Sequence, residues 1–410
     1  MQTLHHKAAA IEEWTENHLI DPDGVVYSQV DTSGRTLTDA LFDPESEVHL
    51  PGVSQADFWN YENCGMTTGA YLQALVFRYE AERDPAALDR AKRCYRALRH
   101  IYDMGKQLEE GFFPKIYGAR FSRQTSTDQV LYAVMALDKY APHANEEERE
   151  EIARMIANMI RFWVKRKYHF GYYHIPDMLW PLARFPSLLL LAFNHSGEKL
   201  FKDEYDRLLA EGVNRFPGES RLRRKLAGEI LPTEYEKKQH AWLIHALPDA
   251  VTMDVMELDY LLRHDPGNSW AETWRKSTAM MWNEGRLALA PNGKAYTHVL
   301  VDMETGRPRR PDPSPGVPGA ETGWSTMIAR AGVQAAPHLT GQKEEIIGQA
   351  RLVLEALAIA DLTYFDGPER FGPKEKFKTR FISGDAVTNW LWAYWLGRNG
   401  GCWYLNYASR

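Results

Sequence analysis

Two acidic residues lie just ahead of strongly apolar segments of this chain. Glu62 stands between two asparagines and close to Trp59. Asp128 follows Ser126 and Thr127, either of which can cap a helix, so Asp128 falls inside the first helical turn. Glycoside cleavage needs two carboxylates at one pocket: one protonates the departing oxygen while the other activates water or attacks carbon. We therefore predict that Asp128 is the principal acid/base and that Glu62 is its partner.

Further residues at comparable positions are predicted to line the same cavity. Polar groups would bind the substrate, cations would hold a carboxylate, and aromatic rings would stack on sugar faces. The polar set is Gln129, His174, Asp177, His240, Glu321 and Asp385; the cations are Lys115, Arg120 and Arg123; the aromatic walls are Trp59, Tyr117, Trp180, Trp324 and Trp390.

Several of these residues also have purely structural interpretations. Asp177 and Asp385 suit the N-cap of a helix equally well, and Asp128 could simply complement a helix dipole. His240 could be a core histidine bonded to a carbonyl group. The arginines could neutralise neighbouring acids. Glu62 is harder to explain in this way, because burying such a polar set without a purpose is costly.

Two kinds of helix alternate along the chain and would position these residues. Thr67–Glu80 is apolar on every face, whereas Glu151–Val164 is apolar on one stripe only. Long loops precede the apolar helices and short ones follow them, which gives about six hairpins. The pairs are Leu4–Leu19 with Asn60–Ala81, Ala86–Tyr102 with Thr127–Tyr140, Glu146–Lys167 with Trp180–His195, Lys199–Glu211 with Tyr235–Leu247, Ser269–Asn283 with Glu321–Gly332, and Glu344–Asp361 with Asp385–Arg398; Asp254–Arg263 is an additional helix.

This alternation predicts an all-α fold, a six-hairpin α/α toroid with two concentric rings of helices in one domain over residues 1–410. An open array of helical pairs is the alternative, but no period of fixed length is visible. The long loops would gather at the N-termini of the inner helices. Free N–H groups and dipole ends there suit an anionic group or developing negative charge.

Composition excludes several classes of function. A net charge of −6 gives no nucleic-acid footprint, and no apolar run is long enough for a membrane span. No metal, nucleotide or nucleophilic-serine motif occurs, so we expect neither a metal nor a cofactor. Three widely spaced cysteines and no signal-like N-terminus favour a cytoplasmic protein. Large aromatic loops would serve a homodimer as well as a substrate.

The aromatic, glycine-rich and basic loop that runs into Thr127, Asp128 and Gln129 resembles the six-hairpin glycosidase superfamily. Within it, the chain is most similar to unsaturated glucuronyl or galacturonyl hydrolases and related β-glucuronidases. The resemblance implies that Asp128 is the catalytic aspartate. It also implies hydrolysis at the end of an oligosaccharide bearing a uronic acid, whose carboxylate would contact Arg120, Arg123 or Lys115.

Other families of similar plan stay open as alternatives. The N-acylglucosamine and cellobiose 2-epimerases use histidines for proton transfer, and His174, His240 and His245 are available for that role. Polysaccharide lyases on related toroids would use a tyrosine or histidine base. A non-catalytic carbohydrate-binding protein would keep the aromatic loops but would not need several carboxylates beside them.

Overall fold

The computed structural model describes residues 3–42, 52–173, 175–212, 225–245, 248–296, 298–309, 321–364 and 380–404. The chain divides into two compact units. The first comprises Met1–Asp39, Val48–Val213 and Ile382–Arg410, and the second comprises Ala40–Glu47 and Asn214–Phe381. The expectation of a single domain stays a prediction.

Helices dominate the described residues, and the strands form sheets of only two or three members. Every helix in this part of the chain is too short or too polar to span a bilayer. The helices are α1 Leu4–His18, α2 Gln55–Tyr61, α3 Cys64–Glu82, α4 Pro85–Lys106, α5 Thr127–Tyr140, α6 Glu146–Lys165, α7 Phe185–Ser196, α8 Lys199–Ala210, α9 Glu234–Gln239, α10 Pro248–His264, α11 Ala271–Gly285, α12 Ser325–Ala335, α13 Lys343–Ala356 and α14 Gly384–Asn399. The strands are β1 Gln29–Asp31, β2 Ile116–Tyr117, β3 Arg120–Phe121, β4 His169–Tyr172, β5 Ile175–Leu179, β6 Ala241–His245, β7 Ala295–Tyr296, β8 His298–Asp302, β9 Pro308–Arg309, β10 Glu321–Thr322 and β11 Phe381–Ser383.

The predicted alternation of helix types is visible in the first unit. Every residue of α3 from Cys64 to Val76 is buried, and α3 packs against α4, α5 and α14. A side chain at Gly69 would come within 2.6 Å of the Tyr132 carbonyl oxygen, so glycine permits the close approach of α3 and α5. By contrast, α4 and α6 bury one stripe each. Asn145 and Glu148 form a capping box that begins α6.

In the described part of the second unit, one predicted helix is wrong and two others have different bounds. The predicted helix Tyr235–Leu247 is instead the short α9, which ends at His240 in a left-handed conformation (φ 49°), followed by β6. Strand β6 pairs antiparallel with β8, a distant partner that local periodicity does not reveal. The additional helix at Asp254–Arg263 is the longer α10, which packs against α11 and α12. Helix α12 begins later than predicted, because Glu321 and Thr322 pair with β7.

A buried ion pair fastens α9 to β6. Lys225 donates to Glu236 and, at 2.8 Å, to the Leu243 carbonyl oxygen; both charged side chains are buried. Glu236 also accepts from the backbone N–H groups of Thr233 and Leu243, each at 2.8 Å. Burial opposes ionisation, but the hydrogen bonds from Lys225 and from these amides lower the pKa of Glu236 to about 2.

We expect this pair to make the protein sensitive to acid. A lowered folded-state pKa stabilises the protein above the unfolded value of about 4.3, and that contribution is lost as the pH falls towards about 2. Chemical denaturation across this range should therefore show a falling free energy of unfolding. In Glu236→Gln the slope should be shallower; an unchanged slope would contradict the assignment.

Candidate active site

Glu62 and Lys115 form an ion pair in the first unit. The Lys115 ammonium donates to Glu62 Oε1 and, at 3.3 Å, to the Glu62 carbonyl oxygen. Lys115 is 1% exposed and Glu62 is 17% exposed. Glu62 occupies the C-cap of α2, where Gln129 Nε2 donates to its carbonyl oxygen at 2.6 Å. The backbone of Lys115 is fixed by hydrogen bonds to Gln124 and Ser122.

The buried ammonium of Lys115 stays charged at neutral pH. Burial alone would lower its pKa, but the charge of Glu62, supported by that of Asp128, raises the pKa of Lys115 above its ordinary value. One positive charge therefore acts on both predicted carboxylates. Only one oxygen of Glu62 is engaged: Oε2 accepts no hydrogen bond from any described residue.

Asp128 lies in the first turn of α5, as predicted, and its side chain is partly exposed. No described residue donates a hydrogen bond to its carboxylate, whose charge contributes to the raised pKa values of Lys115 and Tyr172. Ser126 occupies the N-cap position of α5, as expected, but its side chain makes no cap hydrogen bond. The Thr127 hydroxyl accepts from Arg184 at 2.8 Å.

Two adjacent tyrosines at the β4–β5 corner cover the Lys115 ammonium. It lies 6.0 Å from the ring centre of Tyr172 and 5.8 Å from that of Tyr173. The Tyr173 hydroxyl donates to Glu62 Oε1 at 3.4 Å. Burial, with the charges of Glu62 and Asp128, raises the pKa of Tyr172 to about 12 against the opposing charge of Lys115. Neither tyrosine was predicted from the sequence, although their place in a long aromatic loop is typical of a functional site.

Glu62, Lys115, Tyr172 and Tyr173 form what we call the Glu62 cluster. Asp385 is connected to it through Asn63, the residue after Glu62. Asn63 Nδ2 donates to Asp385 Oδ2 at 3.1 Å, and Asp385 is 2% exposed. The N-cap interpretation of Asp385 is wrong, because Ser383 caps α14 by accepting from the Ala386 amide at 3.2 Å. The start of α14 lies so close to the Tyr27 carbonyl oxygen that a side chain at Gly384 would meet it at 2.1 Å.

The predicted aromatic walls of the first unit are core residues in this structure. Trp59, Trp180 and Trp390 are 3%, 6% and 0% exposed. Trp180 packs edge-on against Trp163, and Trp390 stacks on Tyr394. Tyr117, 2% exposed, stacks on Phe58 with ring centres 5.9 Å apart. The prediction of open stacking faces is therefore wrong for these four rings, because buried indole and phenol rings also serve as core volume.

Two of the three predicted carboxylate-binding cations are already paired. Lys115 binds Glu62, and exposed Arg120 donates to Asp57 at 2.5 Å, so the neutralising interpretation of the arginines holds for Arg120. Arg123 is exposed and forms no ion pair with a described residue. Asp177, with a 70% exposed side chain, lies 3.1 Å from His169 and not in the Glu62 cluster.

Three of the remaining predicted residues lie in the second unit: Glu321, Trp324 and His240. Glu321 Oε2 accepts from Asn292 Nδ2 at 2.7 Å. Trp324 is 2% exposed and packs edge-on against Tyr364, so it too offers no open face. His240 is exposed at the end of α9 and is not a core histidine. His174 lies outside the described residues, and so does the side chain of His245.

Comparison with known proteins identifies the fold. No family model and no curated protein matches the sequence. An unsaturated glucuronyl hydrolase specific for heparin matches at a TM-score of 0.53 and 11% identity, over 99% of this chain and 99% of its own. A D-mannose isomerase matches at 0.52 and 11% identity, over 96% of each chain. A cellobiose 2-epimerase from Spirochaeta thermophila matches at 0.51 and 16% identity, over 97% of each chain.

This chain has the six-hairpin α/α toroid fold. The predicted fold class is confirmed, and so is the resemblance to that superfamily at the level of fold. The three toroids are named for hydrolysis, isomerisation and epimerisation, so the likeness does not select a reaction. Glu62, Asp128 and Asp385 lie at or next to the starts of α3, α5 and α14.

Proposed function

We propose that this toroid is a glycoside hydrolase that acts at the end of an oligosaccharide, with Asp128 as its general acid/base. The observation that carries the proposal is the Asp128 carboxylate. It is partly exposed, accepts no hydrogen bond from the described residues, and its charge raises the pKa of the buried Lys115 ammonium and of the Tyr172 phenol. Such a carboxylate is available to exchange a proton with a substrate oxygen.

Glu62 has the complementary role in this proposal. It forms an ion pair with Lys115, so it serves as a fixed negative charge or as the base that activates water. One oxygen is held by Lys115 and Tyr173, which leaves Oε2 to face the reaction. The contacts of Glu62 and Lys115 among the described residues are with tyrosines and Gln129, and the proposal assigns proton transfer to the carboxylates.

We further propose that the substrate sugar carries a uronic acid, a proposal supported by the shared fold with an unsaturated glucuronyl hydrolase. Because Lys115 and Arg120 are engaged by Glu62 and Asp57, the carboxylate is assigned to Arg123, which is exposed and forms no ion pair with a described residue. A cytoplasmic location and a homodimer stay predictions; sedimentation velocity would test the second.

A substrate panel tests the proposal. The protein should be incubated with glucuronides, unsaturated uronides, neutral oligosaccharides and free sugars, and the products resolved by mass. The expected result is cleavage with addition of one water, fastest on a uronide. An isomer of unchanged mass would indicate an epimerase or isomerase. A new double bond without water addition would indicate a lyase, and binding without turnover a carbohydrate-binding protein. Each of these three outcomes would overturn the proposal.

A further inference from the structure

Tyr173 has a backbone conformation that its residue type disfavours. Its φ of 48° lies in the left-handed region, at the corner that joins β4 to β5. Tight hairpin corners with positive φ usually carry glycine, asparagine or aspartate. A bulky residue there costs about 1–3 kcal/mol and persists only where surrounding contacts fix it. The side chain of Tyr173 is therefore the feature to be explained.

Three contacts connect Tyr173 to the candidate site. Its N–H donates to Gln124 Oε1 at 2.9 Å, which fixes the corner on the loop that also holds Lys115. Its ring covers the Lys115 ammonium, and its hydroxyl donates to Glu62 Oε1.

We infer that Tyr173 is a positioning residue, which orients the Glu62 carboxylate by holding Oε1 against Lys115 so that Oε2 faces the substrate. The inference rests on the proposed function, because it gives Glu62 a role in turnover. A carboxylate held at one oxygen by a flexible lysine alone can still rotate. A second donor on a fixed hairpin removes that freedom, and such preorganisation contributes to catalysis without touching the substrate.

Tyr168 offers a matched control in the same segment. It also has a left-handed backbone (φ 65°), is 2% exposed, and donates its hydroxyl to a glutamate, Glu204, at 2.6 Å. Glu204 lies on α8 and belongs to no predicted site. Tyr168→Phe therefore removes the same kind of hydrogen bond without changing the Glu62 cluster.

The test compares Tyr173→Phe with Tyr168→Phe. We expect Tyr173→Phe to lower kcat about threefold to tenfold, the worth of one hydrogen bond, with KM nearly unchanged. Tyr168→Phe should keep wild-type kcat and KM. Equal kinetics for the two variants would overturn the inference. Asp128→Asn on the same substrate separates the claims: if it keeps full activity the proposed function fails, whereas if it is inactive and Tyr173→Phe is normal, only the positioning role fails.

A second measurement needs no substrate. Glu62→Gln is combined with each phenylalanine variant, and unfolding is followed by chemical denaturation. The effects of Tyr173→Phe and Glu62→Gln should be non-additive, because contacting residues couple, whereas those of Tyr168→Phe and Glu62→Gln should add. Additive effects in both pairs would overturn the inference even if no substrate were turned over.

Discussion

Asp128→Asn is expected to lower kcat/KM by about 10²–10⁴-fold, the usual contribution of a positioned general acid or base. The amide keeps the size of the side chain but cannot transfer the proton. Because the Asp128 carboxylate accepts no hydrogen bond from the described residues, its replacement should change the free energy of unfolding by less than about 1 kcal/mol. Paired kinetic and melting assays would show whether activity falls while stability is kept.

Asp177→Asn is the matched control for that experiment. Asp177 was predicted at the same cavity, yet it is exposed and lies beside His169. Its replacement should leave both turnover and stability near wild type. Wild-type turnover in Asp128→Asn would remove Asp128 from the mechanism, and equal losses in both variants would show that the assay does not discriminate between the sites.

Lys115→Met is expected to lower the free energy of unfolding by about 3 kcal/mol, because it leaves the Glu62 carboxylate without its cation in a mostly buried place. The pKa of Lys115 is raised in the folded state, so the ion pair stabilises fully below the unfolded value of about 10.4 and is lost only as the pH rises through the higher folded value. The difference from wild type should therefore stay constant from about pH 6 to about pH 9.

Two companion variants make this result specific. Lys115→Met combined with Glu62→Gln should recover much of the lost stability, because no unpaired charge remains. Lys199→Met removes an exposed helical pair with Asp203 and should cost less than about 0.5 kcal/mol. A loss in Lys115→Met no larger than that of Lys199→Met, in urea or thermal unfolding, would contradict the buried-pair assignment.

The fold could be predicted from the sequence because a helix that is buried on all sides has apolar residues on every face. Helix α3 is apolar around its whole circumference and α6 is apolar on one stripe, and both are helices as predicted, although α3 begins at Cys64 and not at Asn60. The α9–β6 segment was not accessible. Strand β6 depends on pairing with β8, which is far along the chain, and the left-handed His240 that ends α9 has no periodic signature.

The candidate site was partly accessible for the same physical reasons. Glu62, Asp128, Gln129 and Lys115 stand at loop ends and helix starts, where chemistry is expected, and the structure brings them together. The partnership of Lys115 with Glu62 is a tertiary contact that residue type alone does not reveal. The tryptophans misled the prediction, because the same aromatic residues fill a core and line a sugar site.

The dependence of kcat/KM on the leaving group is the most direct test of whether Asp128 protonates the departing oxygen. Wild type and Asp128→Asn are compared on one series of glycosides of the sugar that the panel identifies. The leaving groups of this series range from a second sugar to a nitrophenol. A leaving group that departs without a proton needs no general acid. We expect Asp128→Asn to lose much of its kcat/KM with the sugar leaving group. This loss should become steadily smaller towards the nitrophenol. A loss of the same size across the whole series would contradict it.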